Sequence, residues 1–276
     1  MSSVWSYEGM RVVVSGGGGA GMGAAAVTEL SGLGAEIHVL DLKEPPCDVK
    51  SYRSVDLRDP AATEAAIDAI GAPLHALFNC AGLPGQVFSD LDVMTVNFLS
   101  MRLLAELCAE RMTDGGAIAS ISSTAGAAYL QKLETWLPLA KTGSFAEGRA
   151  WCEAHPDEIR GGYAPSKEAL SVWTMWAARP FAERGVRVNC INPGPTDTPM
   201  MPDFESTAPP AVIDLFARGL GRRSTPEEQA YPMIFLNSRA ASYISGENLN
   251  ADGGTIHALT TGQLELGYDP ESIQQG

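Results

Sequence analysis

Residues 10–41 read MRVVVSGGGGAGMGAAAVTELSGLGAEIHVLD. A β-branched run, Val12-Val13-Val14, is followed by a glycine cluster from Gly16 to Gly23. Val27, Leu30 and Leu33 then recur at helical spacing, and Ile37-His38-Val39-Leu40 forms a second apolar run that ends at Asp41. Period and punctuation together predict a strand, a helix and a second strand, a βαβ unit. Working outward, strand candidates follow at Tyr52–Asp56, Leu74–Asn79, Ala117–Ser122, Val186–Ile191 and Glu247–Asn250, with helical stretches between most of them. Continuous apolar strands alternating with helices predict an α/β fold: a doubly wound, mostly parallel sheet of seven strands covered on both faces. In such sheets ligands gather beyond the carboxyl ends of the strands.

The chain has 276 residues, 45% of them hydrophobic and 7% aromatic, enough to bury one large core without disulfides. Its 29 glycines and 18 prolines are dispersed, no internal repeat is found, and a single domain is expected over residues 1–276. A net charge of -14 with no compensating Lys/Arg run argues against nucleic acid and anionic membrane surfaces as partners. No apolar stretch approaches the roughly 20 residues needed to span a bilayer, and Met1 to Arg11 lacks a basic-then-apolar leader, so a cytoplasmic location is expected. Cys47, Cys80, Cys108, Cys152 and Cys190 form no CxxC pair and read as reduced thiols, packed as small apolar groups.

Two helices carry residues that matter below. Val93, Val96, Leu103, Leu107 and Met112 mark an apolar stripe on one long helix, with Asn97 beside it. Leu170, Trp173, Ala177 and Phe181 mark another that opens near Tyr163 and ends around Gly185.

The glycine cluster lies where a strand hands over to a helix, the place where a dinucleotide pyrophosphate meets exposed backbone N–H groups and the positive end of the helix dipole. Glycine-rich loops are also plain turns. Here the next strand ends in Asp41, whose carboxylate suits the two adenosine ribose hydroxyls, which favours NAD; a 2′-phosphate would meet like charge. Leu42 rather than Arg follows it, and Lys43 is the nearby cation. Gly17, Gly21, Met22, Gly23 and Asp41 are therefore candidate cofactor contacts.

Further signatures follow in order: Asn79-Cys80-Ala81-Gly82, Asn97 within Val96-Asn97-Phe98, Ser122-Ser123, Tyr163-Ala164-Pro165-Ser166-Lys167, Asn192-Pro193-Gly194 with Thr198, and Asn250-Ala251-Asp252-Gly253-Gly254. With these the chain resembles the short-chain dehydrogenase/reductase family from Met10 to Gly254, which implies a Rossmann-type fold and NAD-dependent oxidoreduction. Leu83-Pro84-Gly85, Gly148-Arg149-Ala150-Trp151 and a long stretch before Tyr163 resemble the branch containing coniferyl alcohol dehydrogenase and bacterial 3α-hydroxysteroid dehydrogenase/carbonyl reductase. Ser123 and Tyr163 lie forty residues apart, far more than is usual in the family, so a helical insertion is expected at about 127–161. The family's glycine pattern fits in two registers: Gly16 takes the place of its Thr, or Ser15-Gly16 keep the first two places and one residue is inserted. Gly21 and Gly23 hold under both.

Tyr163 and Lys167 are four residues apart and share a helix face. A free phenol ionises near pH ~10; an ammonium beside it and a positive nicotinamide should lower that and make Tyr163 a base near neutrality. The resemblance implies that Ser123 holds the substrate oxygen, that Lys167 also bonds the nicotinamide ribose, and that Asn97 anchors a water on a proton path. Ser122 should point inward. The resemblance also implies cofactor contacts from Asp56 and Leu57 on the adenine side, from Asn79, Ala81 and Gly82, from Tyr163 and Lys167, and from Pro193, Gly194, Thr196 and Thr198 around the carboxamide. Each of these residues alone has an ordinary structural reading.

No metal is required; His38, His75, His155 and His257 show no HxH or HExxH spacing, and Cys152 with His155 reads as part of a solvated insertion helix. Met200, Met201, Phe204 and Leu215, in a substrate loop at about 199–224, should wall an apolar pocket together with the insertion, or else pack in the core. The substrate is expected to be a small apolar secondary, aryl or allylic alcohol or its carbonyl. A carbonyl reductase using NADH, or a non-catalytic dinucleotide sensor, are the competing readings. Leu264, Leu266 and Tyr268 in the tail 255–276 either cover a neighbouring subunit's pocket or are disordered, and a homodimer or homotetramer is expected.

Overall fold

The computed structural model describes residues 3–85, 87–207 and 210–265. Seven strands form its central sheet: β1 (Arg11–Ser15), β2 (Glu36–Asp41), β3 (Ser51–Ser54), β4 (Leu74–Asn79), β5 (Met112–Ile121), β6 (Arg187–Pro193) and β7 (Asn248–Ala251). They lie in the order β3-β2-β1-β4-β5-β6-β7, every pair parallel, as the apolar runs predict. The order reverses between β1 and β4, which opens a crevice beyond their carboxyl ends. Burial on both faces explains why β1 is valine throughout its centre: Val13 belongs to one core, Val12 and Val14 to the other.

Helices α1 (Met22–Gly32) and α10 (Pro226–Asn237) cover one face of the sheet. The other face carries α2 (Pro60–Ile70), α3 (Asp90–Met94), α4 (Met101–Ala109) and α7 (Tyr163–Ala182). The helix expected around Asn97 is present with two corrections. A π-turn over Thr95–Ser100 separates α3 from α4, and Met112 lies beyond the helix, where it starts β5. The stripe ends early because Arg111 already donates its backbone N–H back to Cys108 and the chain turns into the sheet.

The insertion is helical, as expected: a 3₁₀ stretch (Thr124–Lys132), α5 (Leu133–Ala140) and α6 (Phe145–Ala154). Helix α5 lies on α7 and α6 on the π-turn, and Trp136, Leu139, Cys152 and Ile159 join the core beneath them. Buried Glu168 fastens the insertion by accepting from Trp136 Nε1 (2.9 Å) and pairing with Lys132 Nζ (3.1 Å). Buried Arg102 fastens the far turn through Thr142 Oγ1 (2.7 Å) and the Thr142 carbonyl. Both buried charges have partners, the condition under which such groups are tolerated.

The segment read as a substrate loop contains two short helices, α8 (Met201–Thr207) and α9 (Pro210–Phe216). Its stems meet in a bridge between Thr196 and Ser224, where the two hydroxyls lie 2.8 Å apart. Gln229 on α10 ties Ser224 to the Ala251 carbonyl. The final described helix is α11 (Thr255–Thr260); Leu266 and Tyr268 lie outside the described residues. Among the described residues no helix is long and apolar enough to cross a membrane.

Candidate active site

The glycine loop settles its own register. Ser15 is the last residue of β1, buried and paired with Asn79, to whose side chain its hydroxyl donates at 3.2 Å. Gly16 turns the chain at φ +68°, with its Cα against the Ala81 backbone. Ser15-Gly16 thus hold the strand end and the turn, and the extra residue falls among the glycines that follow. Gly23, in the first turn of α1, crosses Gly16 so closely that a Cβ would stand 2.1 Å from the Gly16 carbonyl. The space that a side chain on Gly17 would take is filled by Val14, Val27 and Val39.

A nicotinamide dinucleotide, the cofactor this fold implies, fits the loop that remains. Helix α1 has no side-chain cap and no acidic residue in its first turn, so its leading N–H groups and dipole are left for an anion such as a pyrophosphate. A Cβ on Gly21 would meet nothing nearer than Pro199 at 4.0 Å, and Met22 is only partly covered. Asp41, at the end of β2, is turned toward the loop: its carboxylate accepts from Gly18 N (2.8 Å) and Lys43 N (2.9 Å). Gly18 lies flat on the Lys43 carbonyl, where a Cβ would come within 1.9 Å.

Around the carboxyl ends of β4, β5 and β6 the remaining candidates separate into two groups. Tyr163 opens α7, and the Ser123 side chain lies near enough to its phenol to lower the pKa that burial raises. One turn on, Lys167 Nζ lies 5.5 Å from the Tyr163 ring centroid and donates to the Ile121 carbonyl at 2.8 Å. Ser122 points inward as expected, donating to the Lys167 carbonyl (2.9 Å) and sharing a 3.0 Å hydrogen bond with Ser171. That pair pins the strand end to α7 and leaves Ser123 facing the phenol. The 83–85 loop closes one side, since a Cβ on Gly85 would be 3.2 Å from Tyr163 Cβ. Phe204 of α8 meets the Tyr163 ring edge to face, centroids 4.8 Å apart.

Desolvation acts on both members of the pair. Burial pushes the Tyr163 phenol up to about 12, only partly opposed by the Ser123 side chain. Burial also pushes Lys167 down to about 8. The sequence placed a cation near the phenol but could not show that Lys167 is buried and Tyr163 half-buried, and desolvation disfavours the charged form of each.

Other candidates are engaged in the scaffold. Asn97 is buried; its Oδ1 accepts from Leu83 N (2.7 Å), and its Nδ2 donates to the Leu83 carbonyl (3.0 Å) and Ser166 Oγ (3.2 Å). The side-chain amide therefore braces the 83–85 loop against α7. Asn79 is likewise committed to Ser15, the Met101 carbonyl and Ser120. The Thr196 hydroxyl serves the stem bridge, Leu57 is a core residue, and Asp56 pairs with Arg58 at 2.6 Å. Ala81 and Gly82 flank Gly16 and Asn97, while Pro193 and Gly194 end β6 beside Ala251 and Asp252; all four are close to the crevice by backbone. Thr198 accepts through its carbonyl from Met201 at the start of α8. Met201 and Leu215 are buried and pack inward, unlike Phe204. The sequence reading missed Ser166, though it stands inside the quoted Tyr163–Lys167 motif, and the Leu83 backbone, which no residue type signals.

Residues 11–135 match the short chain dehydrogenase family model, and residues 154–256 match a model described as Enoyl-(Acyl carrier protein) reductase. The chain is 31% identical over 245 residues to the coniferyl-alcohol dehydrogenase of a Pseudomonas species, an alignment covering 88% of this chain and 95% of that one. It is 31% identical over 250 residues to the 3-alpha-hydroxysteroid dehydrogenase/carbonyl reductase of Comamonas testosteroni, covering 89% and 96%. The crystal structure of the 3-alpha-hydroxysteroid dehydrogenase from Pseudomonas sp. B-0831, complexed with NADH, superposes with a TM-score of 0.74 at 26% identity over 92% of this chain and all of that one. On strand order, motif order and these matches, the chain belongs to the short-chain dehydrogenase/reductase family of oxidoreductases.

Proposed function

We propose that the protein transfers hydride between NAD and a small apolar alcohol, secondary, aryl or allylic, or runs the reverse reaction on the matching carbonyl. The observation that carries this reading is the convergence of the Tyr163 phenol, the Ser123 hydroxyl and the Lys167 ammonium beside an uncapped helix N-terminus. Ser123 and Tyr163 present two hydroxyls to one substrate oxygen. Ser123 holds that oxygen, and Tyr163 takes its proton during oxidation or returns one during reduction. Lys167 stabilises the phenolate from one helical turn away. When bound, oxidised nicotinamide supplies the hydride acceptor and a second positive charge that draws the phenol down from about 12.

Asp41 supports NAD over NADP, because a 2′-phosphate would face the carboxylate that Gly18 and Lys43 already hold in place. The test is reduced-nicotinamide absorbance with a panel of alcohols and ketones under both cofactors. NAD is expected to be favoured at least about tenfold in kcat/KM, with the margin narrowed by Asp41→Ser. Failure of every alcohol and ketone would leave a dinucleotide sensor, and equal use of both cofactors would remove Asp41 from its role.

The packing of α7 bears on assembly. With α5 lying over α7 and α6 over the neighbouring π-turn, self-association falls to other surfaces, and Tyr231 on α10 and Tyr243 before β7 stand exposed. We assign a homo-oligomer; a monomer mass by light scattering at micromolar concentration overturns this.

A further inference from the structure

The proton-transfer geometry places a substrate oxygen between Ser123 and Tyr163, so the carbinol carbon lies beside the Tyr163 ring and its substituents face whatever lines that ring. One group does so from α8: Phe204, at 4.8 Å and an interplanar angle of 68°. That arrangement is the edge-to-face contact aromatic rings prefer over simple apolar packing. The helix that carries it is anchored at both ends, since Met201 is buried and Arg223 bonds Glu205 at 2.5 Å. Phe204 is therefore presented toward the site, whereas its apolar neighbours are turned inward. The loop that touches Tyr163 at Gly85 continues into Val87 and Phe88, which are 55% and 38% exposed.

We propose that Phe204 is a specificity-determining residue whose ring packs edge to face on the substrate, so that the site selects alcohols and ketones bearing an aromatic ring on the reacting carbon over their saturated counterparts. This rests on the redox reading above for its kinetic arm but not for its binding arm. A saturated ring offers Phe204 similar apolar area without the quadrupole that rewards an edge-to-face contact, and the difference is worth about 2- to 10-fold in equilibrium terms.

The experiment compares 1-phenylethanol with 1-cyclohexylethanol, which share the carbinol and differ only in ring saturation, for wild type, Phe204→Leu and Phe204→Tyr. In parallel, binding of 4-fluoroacetophenone is followed by fluorine NMR with cyclohexyl methyl ketone as competitor, a readout that needs no turnover. Wild type is expected to favour the aryl member in both arms, Phe204→Leu to lower that preference by about 2- to 10-fold, and Phe204→Tyr to restore it. Melting curves confirm that each variant is folded. An aryl preference unchanged in Phe204→Leu overturns the inference. Phe204-dependent aryl binding without turnover upholds it and removes the redox reading instead. A wild type that neither binds nor turns over either pair overturns both.

Discussion

Replacing Tyr163 by Phe is expected to lower turnover by about 10²- to 10⁴-fold in both directions while leaving NADH binding, read by its fluorescence, nearly unchanged. The substitution removes one oxygen from a ring that keeps its place against Phe204 and Lys167. Only the proton relay is lost. Burial holds the phenol above its ordinary value and a bound oxidised nicotinamide would draw it down, so its ionisation adds a pH signature to the wild type. Below its pKa the phenolate fraction rises about tenfold per pH unit, so alcohol oxidation should climb through the alkaline range while carbonyl reduction, which needs the protonated phenol, should not. A Tyr163→Phe variant that retains wild-type turnover, or that keeps the same alkaline climb, would remove Tyr163 from the centre of the chemistry.

The second large effect combines loss of activity with gain of stability. Lys167 is 3% exposed, and burial moves its pKa from 10.5 to about 8. Below pH 8 both the folded and unfolded chains hold the proton, and the folded chain bears the cost of burying it. Between about 8 and 10.5 the folded chain releases the proton first, so the unfolded state binds more protons and stability rises with pH across that window. The full gap corresponds to about 3 kcal/mol, part of which the hydrogen bond to the Ile121 carbonyl already offsets. Lys167→Met fills the same space without the charge. Its melting temperature at pH 7 should exceed that of wild type by about 2–6 °C, its stability should lose the rise between pH 8 and 10.5, and its turnover should fall by at least about 100-fold. Tyr163, raised from 10.0 to about 12, acts in a separate window: the folded state binds more protons there, and stability falls as pH rises between those values. A Lys167→Met protein that melts below wild type at pH 7 would show the buried ammonium to be a net support.

These results mark where a linear sequence stops carrying information. Tyr163 and Lys167 were legible because helical spacing is local, and Ser122 against Ser123 because strand alternation is local. The protonation of the same groups was not, since it depends on how much water remains around them, and part of what covers Tyr163 is Phe204 from a helix far along the chain. Asn97 was legible as a position, but its bracing contacts were not, because two of them go to the backbone of Leu83, which no side chain signals. The packing of the insertion hinged on Glu168, a carboxylate inside an apolar helix face whose partners Trp136 and Lys132 lie over thirty residues upstream. The helices α8 and α9 were read as loop because each is short and flanked by proline. The glycine-loop register needed a neighbour: only the pairing of Ser15 with Asn79 shows where the strand ends.

The bridge between Thr196 and Ser224 has a consequence for how such an enzyme diversifies. Because both ends of the intervening stretch are fastened to each other and to the Ala251 carbonyl through Gln229, its interior can be exchanged without unsettling the sheet. That stretch behaves as a removable cassette plugged into fixed sockets, so a grafted sequence from a relative should carry its chemical taste with it.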